Sequence, residues 1–202
     1  MNRKVENNSK YKICDVLCEL GKNRPIDRIT VQEIISLVGI NRSTFYYHFG
    51  DVPSVIEWMI SDFLGEYLQL LFDIPEGDNE ALLQPDILLG QEEQICALIQ
   101  RRRDWLELFF SKHHEKHFRE RFWDEFEKYA NIYDLTIINS TQGIRTIKRG
   151  IVYDYCLRVN FAMWFEILAC WHNRKFHETS NDFIEIFDIL YSGVLGFANH
   201  KP

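Results

Sequence analysis

The run Asn41-Arg42-Ser43-Thr44-Phe45-Tyr46-Tyr47-His48-Phe49 puts a guanidinium, an imidazole, two phenols and two aliphatic hydroxyls into a short stretch. If it forms two turns of helix, Phe45 and Phe49 stand four apart and share a face with Ile40. That face packs inward, on Val31, Ile34 and Val38. Arg42, Ser43, Thr44, Tyr46, Tyr47 and His48 are left at the N-terminal end or on the outward faces. Their chemistry suits a polyanion with hydrogen-bonding edges. Hydroxyls, phenols and imidazole donate to phosphate oxygens, and an arginine meets guanine O6 and N7 bidentately. The free amides and dipole at the start of the helix favour phosphate as well.

The surrounding elements would position these groups. Thr30 and Glu33 form a T-x-x-E capping box that opens a helix with Val31, Ile34, Ile35 and Val38 facing inward. Gly39 supplies a turn and Asn41 caps the next helix. Two short helices joined by a glycine turn, the second presenting donors outward, make a helix-turn-helix whose second helix enters the major groove of DNA. Upstream, 10–22 carries Ile13, Val16, Leu17 and Leu20 at helical spacing, and the RPID run at 24–27 breaks it. Downstream, a long helix starts near 51–53, with Pro53 in its first turn, and runs to about 72. Two prolines, a glycine and four acids make 74–86 a loop. Helices are expected at 87–101, 103–110 and 113–133, with a break at INSTQG (138–143). A strongly apolar helix follows at 147–173, and a last one at about 180–198, capped by Thr179 with Asp182 three residues on. No strand pattern persists. The expected fold is all-α, with about nine helices. An N-terminal three-helix helix-turn-helix domain (1–52) precedes a larger helical bundle (53–202).

Charge is divided along the chain. Residues 1–50 hold eight Lys/Arg and five Asp/Glu, a balance of +3, so the remainder of a chain with net charge -7 carries −10. A basic front on an acidic body fits an anionic partner for the front alone. No apolar run approaches the ~18–20 residues of a membrane span, and MNRKVENNSKYK lacks the apolar stretch of a signal peptide, so a cytoplasmic protein is expected. The five cysteines, Cys14, Cys18, Cys96, Cys156 and Cys170, lack paired spacing and read as buried reduced thiols.

The run TVQEIISLVGINRSTFYYHF, preceded by an amphipathic helix and followed by a long one, resembles the TetR family of transcriptional regulators. The match covers about residues 10–65, and TFYYHF is its most specific part. The resemblance implies a double-stranded DNA operator as partner. Thr30 matches a position that often touches phosphate, and Gln32 one from which some members reach a base. Arg42 and Ser43 match base-reading positions after the cap Asn41. Thr44, Tyr46, Tyr47 and His48 match residues that grip phosphates or base methyls, and Phe45 and Phe49 match core. One departure stands out: many members carry a lysine at the start of the long helix, where this chain has Val52 beside Asp51. That weakens the expected grip on DNA. It leaves room for a co-activator or partner-controlled adaptor of the same fold, acting mainly through protein–protein contacts.

The resemblance also implies that the second domain binds a small effector, dimerises through its last two helices, and releases DNA when the effector tilts the long helix. The dimer has support in the residues themselves. Val152, Tyr155, Val159, Ala162, Met163, Phe165, Ile167 and Ala169 cover more of one helix than a single buried stripe, and the last helix adds Phe183, Ile186, Phe187, Leu190, Leu195 and Phe197. Aromatics of the middle helices are the candidates for an effector pocket: Trp105, Phe109, Phe110, Phe122, Trp123 and Phe126, with Phe161 and Trp164 facing them. They suit an apolar or aromatic effector. KHHEKH at 112–117 is not H-E-x-x-H and reads as a solvated helix, and RRRD at 101–104 as a solvated charge cluster. No metal, no cofactor and no enzymatic activity is expected.

Overall fold

The computed structural model describes residues 3–72, 85–132, 136–139, 143–146, 148–179, 181–182 and 185–186, with side chains over 9–71, 92–131, 148–179 and the last two pairs. The described chain is all-α apart from one short antiparallel strand pair. Its eight helices are α1 (Arg3–Gly21), α2 (Val31–Val38), α3 (Arg42–His48), α4 (Val52–Phe72), α5 (Pro85–Arg101), α6 (Arg103–Phe109), α7 (Glu115–Ile132) and α8 (Ile151–Asn173). A single 3-10 turn, Ile26–Arg28, follows Pro25 and links α1 to α2. No helix is long and apolar enough to cross a membrane among the described residues.

The chain divides into two compact units, and the division differs from a cut at residue 52. The first comprises Met1–Gly65 and Arg102–Phe122, the second Glu66–Arg101 and Trp123–Pro202. Helices α4 and α7 each contribute residues to both.

The first unit is built around α1, which packs on α2, α3 and α6. Of its expected stripe Ile13 and Leu17 are fully inaccessible, with Cys14 and Cys18 buried beside them, while Val16 and Leu20 are only half-buried; Ile34 of α2 and Phe45 of α3 are fully inaccessible as well. An aromatic core lies between α4, α6 and α7, where Phe118 stacks on Phe109 at 4.9 Å and meets Phe63 at 6.3 Å. At the end of α1 the backbone comes close to α6. A Cβ on Gly21 would lie 2.6 Å from Leu108 Cδ1, inside any normal contact, so a larger residue there would oblige the Leu108 side chain to move.

The turn between α2 and α3 requires glycine for another reason. Gly39 has φ +74°, the left-handed region, and its amide donates to Ile35 O at 3.0 Å while Ile40 N donates to the same carbonyl at 3.1 Å. Both bonds satisfy the end of α2. Nothing lies within 4 Å of a Cβ built at Gly39, so an alanine there meets only the backbone penalty. Gly39→Ala is expected to destabilise the first unit by about 1–2 kcal/mol, read as a lowered midpoint in denaturant with an unchanged m-value.

In the second unit α8 is two-faced. Tyr153, Leu157, Phe161, Trp164, Phe165, Leu168 and Trp171 are buried, and Tyr153 Oη donates to Ala130 O of α7 at 2.9 Å. On the other side Ile151, Val152, Tyr155 and Val159 are 66–76% exposed.

Three expectations change. The stretch read as a break at 138–143 begins and ends in two short antiparallel strands, β1 (Thr136–Asn139) and β2 (Gly143–Thr146), in which Thr136 pairs with Thr146 and Asn139 with Gly143. Strands of four residues are too short for a period of two to emerge, although Thr136, Ile137, Ile138, Ile144 and Thr146 are β-branched. Accordingly α8 begins at Ile151 rather than near 147. The cysteines are free, but not uniformly buried: Cys14, Cys18 and Cys96 are, whereas Cys156 is half-buried and Cys170 exposed. Burial pushes the Cys14 and Cys18 thiols well above the usual thiol value, so both stay protonated and inert. The expected last helix lies largely outside the described residues, but its opening is visible. Thr179 N and Oγ1 both donate to Asp182 Oδ2 at 2.7 Å, and Asp182 N donates to Thr179 Oγ1 at 3.3 Å.

Candidate nucleic-acid interface

The capping box that opens α2 is fully formed. Thr30 N donates to Glu33 Oε2 at 2.8 Å, Thr30 Oγ1 donates to the same oxygen at 2.9 Å, and Glu33 N donates to Thr30 Oγ1 at 3.2 Å. The other carboxylate oxygen accepts from Arg24 at 2.8 Å, tying the RPID turn to α2. The Thr30 amide, then Arg24 and the Thr30 hydroxyl, hold the Glu33 carboxyl down at about 2. Thr30 is thus committed to its own helix on both sides of its hydroxyl. Gln32 is exposed one turn along and donates to Ser36 at 3.3 Å.

Asn41 organises the start of α3. Its Oδ1 accepts from Thr44 N at 2.7 Å, Ser43 Oγ at 2.7 Å and Thr44 Oγ1 at 2.8 Å. Three donors on one oxygen fix the first turn of a helix too short to be stable alone. Ser43 and Thr44 therefore point their hydroxyl protons back at the cap, and a phosphate would have to compete with Asn41 for them.

Beyond the cap, the exposed groups form a ridge. Arg42 reaches along the helix to Tyr46, with its guanidinium 3.3 Å from the phenol oxygen and 5.6 Å from the ring centroid. Tyr46 is 46% and Tyr47 68% exposed, and the Tyr47 ring sits 5.1 Å from that of half-buried His48. On the opposite face Phe45 and Phe49 are 0% and 4% exposed, with ring centroids 6.1 Å apart. The two-sidedness expected of this helix is what the structure has.

The start of α4 explains the missing lysine in part. Asp51 caps the helix, its Oδ1 accepting from Ser54 N at 2.8 Å, while Val52 is buried at 4% exposure. The first residue of α4 faces the core and the residue before it presents a carboxylate, so the first turn of α4 itself carries no cation.

Behind the ridge lies a cluster that the sequence did not disclose. Phe49 meets Trp58 of α4 at 5.9 Å, and Trp58 meets Trp105 of α6 at 5.9 Å, with Tyr11 of α1 stacked on Trp105 at 6.2 Å. Lys10 lies 3.7 Å above the Trp58 ring, and Arg102 lies 4.1 Å above Trp105 while bonding Asp62 at 2.9 Å. Arg102 is therefore not part of a solvated charge cluster. Its flat guanidinium is covered by aromatic faces, an arrangement available to arginine through stacking and snorkelling. A signal existed only in the Lys10-Tyr11 pair and the Arg102…Trp105 spacing, neither of which names a partner.

The KHHEKH run is also not a solvated helix throughout. It forms the turn into α7, where His117 bonds Glu57 of α4, Arg121 joins the same carboxylate at 3.3 Å, and His114 is 8% exposed. Among the described residues no group of three or more His, Cys, Asp or Glu side chains is placed to hold a metal. Burial, and secondarily the charges of His113 and His117, hold His114 below the usual imidazole value against the pull of Asp27, and its Nε2 has no hydrogen-bond partner. The unfolded chain takes up this proton near ~6.5, the folded chain only at lower pH. Below ~6.5 the unfolded state binds more protons, so stability contributed by neutral His114 is present above that pH and is lost as the pH falls through the folded value. Thermal melts from pH 7.5 to 5 should show a steeper decline for the wild type than for His114→Leu. Parallel curves would remove His114 as the cause.

The aromatic residues expected to line an effector pocket fall into two groups. Trp105, Phe109, Phe110 and Phe122 are buried in the first unit. Trp123, Phe126, Phe161 and Trp164 belong to the second, where Phe161 meets Trp123 at 5.1 Å and Phe126 at 5.7 Å and Trp164 donates to Asn160 at 3.0 Å. Adjacent residues Phe122 and Trp123 go to different units because α7 contributes to both. None of them lines the cavity of about 700 Å³ that lies along the C-terminal half of α8.

No protein-family model matches the chain, and neither a curated protein nor a solved structure matches it significantly. The functional reading therefore rests on the residues and their geometry.

Proposed function

We propose that the chain is a helix-turn-helix transcriptional regulator of the TetR type that binds a near-palindromic DNA operator as a homodimer and acts as a repressor. The observation that carries the reading is α3: a capped helix whose inner face is Phe45 and Phe49 and whose outer face is Arg42, Tyr46, Tyr47 and His48. Arg42 reads base edges, and the tyrosines and histidine hold phosphate. Gln32 adds a contact from α2. The exposed stripe Ile151, Val152, Tyr155 and Val159 supports pairing with a second copy, since four large apolar side chains on one helix face gain by mutual burial. Two recognition helices roughly 34 Å apart would then enter successive major grooves. An effector held in the second unit would change that spacing by shifting the balance between two arrangements.

The buried Val52 and the Asp51 cap favour a second reading, a co-activator of the same fold that contacts DNA weakly and another protein strongly. One experiment separates the two. Fragmented genomic DNA is captured on purified wild type and on Arg42→Ala in parallel, and enriched sites are titrated with salt. A near-palindromic site enriched only by the wild type, with binding that falls steeply with salt, is the expected outcome. Equal recovery by both proteins would turn the reading to the co-activator.

A further inference from the structure

We infer that Lys10 of α1 is a further DNA contact, an ammonium that Trp58 and Phe49 hold in place for a backbone phosphate beside the C-terminal end of α3. The inference rests on the DNA-binding reading and adds to it a residue outside α2 and α3. Lys10 is half-buried, and its Nζ lies 3.7 Å from the centroid of the Trp58 ring and 5.5 Å from that of Phe49. Phe49 caps the C-terminal end of α3. Its ring is 6.3 Å from that of His48, which is 5.1 Å from that of Tyr47. The Lys10 ammonium is thus joined through Phe49 to the two side chains proposed to hold phosphate.

No partner neutralises this charge. Lys22, Arg24, Arg102 and Arg121 of the same unit are each bonded to a carboxylate. Lys10 faces rings instead, and pairs with no acid among the described residues. A ring face attracts a cation but has no net charge, so it fixes the ammonium and leaves the positive charge in place. An ammonium has three N–H donors, and those turned away from the ring are free to meet a phosphate oxygen. Laying the stem against Trp58 also reduces the side-chain freedom lost when phosphate arrives. The position calls for a cation. The C-terminal end of a helix carries partial negative charge, and Asp51 adds a carboxylate two residues after Phe49. Without Lys10, a phosphate passing the end of α3 would be repelled by both.

Phosphate contacts carry no sequence information, so a labelled duplex of about 30 base pairs and arbitrary sequence is a sufficient probe at low salt. The full-length wild type, Lys10→Gln and Lys10→Arg are titrated on it by fluorescence anisotropy between ~50 and ~200 mM salt. Lys10→Gln is expected to bind about 5- to 10-fold more weakly near ~0.1 M salt, with the slope of log affinity against log salt reduced by about 1 per protomer. Lys10→Arg should restore both, because a guanidinium also stacks on an indole and bonds phosphate. A lysine that only packed on Trp58 would shift the melting temperature and leave the slope unchanged. Acetylation by acetic anhydride, read by mass spectrometry, needs no variant. The duplex should slow modification of Lys10 several-fold and leave Lys22, ~18 Å further along the axis of α1, unaffected. An unchanged slope in Lys10→Gln, no rescue by arginine, or a Lys10 that the duplex does not protect would each overturn the assignment. Failure of Lys10 alone leaves wild-type binding intact and steeply salt-dependent. Failure of the DNA-binding reading looks different: the wild type binds neither this duplex nor genomic fragments, and Lys10 loses its partner with it.

Discussion

Phe45→Ala is expected to destabilise the first unit by about 3–5 kcal/mol, a large share of a domain's stability. Phe45 is fully inaccessible and holds two aromatic neighbours, Tyr46 at 5.6 Å edge-on and Phe49 at 6.1 Å. Helix α3 has seven residues, too few to be stable by propensity, so its attachment to the core depends on Phe45 and Phe49. Removing the larger part of that anchor leaves a cavity under the helix and takes away the reason for it to stay folded. The marginal stability of a domain, ~5–15 kcal/mol, is not large against such a loss. The readout is denaturant unfolding followed by amide exchange. Amides of α2 and α3 should lose protection together, while those of α8, in the second unit, keep theirs. Loss of protection confined to α3 alone would mean that α2 and α1 hold without it, and that the cost has been placed too high.

Arg42→Ala should weaken binding to the enriched operator by about 1–3 kcal/mol, or 5- to 150-fold, and relax selectivity at one base pair in each half-site. In the unbound protein Arg42 is already laid against Tyr46, bonded to its phenol oxygen and stacked over its ring. An arginine held in this way gives up less side-chain freedom on meeting a base edge than one ranging through solvent. Tyr46→Phe therefore provides a subtler variant: it keeps the ring and removes the hydrogen bond, and a small loss should appear with selectivity intact. Tyr47→Phe removes an exposed phenol and should weaken binding across sequences rather than at one position. Quantitative footprinting on the operator and on single-base variants measures all three. Arg42→Ala binding as tightly as the wild type would exclude this residue from base reading. It would leave the weakly DNA-binding co-activator, already favoured by Asp51 and Val52, as the better account.

Much of the first unit was legible because its determinants are local. The Thr30–Glu33 box, the Asn41 cap and the Thr179–Asp182 box each join residues three apart, and Gly39 is required by its own φ. The inward stripes of α1, α2 and α3 follow from a period of 3.6 and hold whatever they pack against. The four-residue spacing of Phe45 and Phe49 likewise decided which side chains of α3 face outward. For the same reason the candidate nucleic-acid ridge was named residue by residue from the sequence.

What failed to show was whatever depends on residues distant along the chain. Arg102 lies in a run of three arginines, and only the approach of Tyr11, Asp62 and Trp105 makes it a stacked, half-buried cation rather than a solvated one. His114 sits between charged neighbours in sequence yet is buried, and His117 finds Glu57 sixty residues away. The middle-helix aromatics look like one set, but α4 and α7 each contribute to two compact units and divide them. The cleft beside α8 depends on a chain reversal at Lys175 and Phe176, neither of them a residue that advertises a left-handed turn. The sequence by itself determined the helices, their caps and their inward faces, because those are fixed by hydrogen bonds and spacing within four residues. Only the tertiary structure decided which buried group meets which, since burial and pairing are properties of the packed neighbourhood and not of the residue.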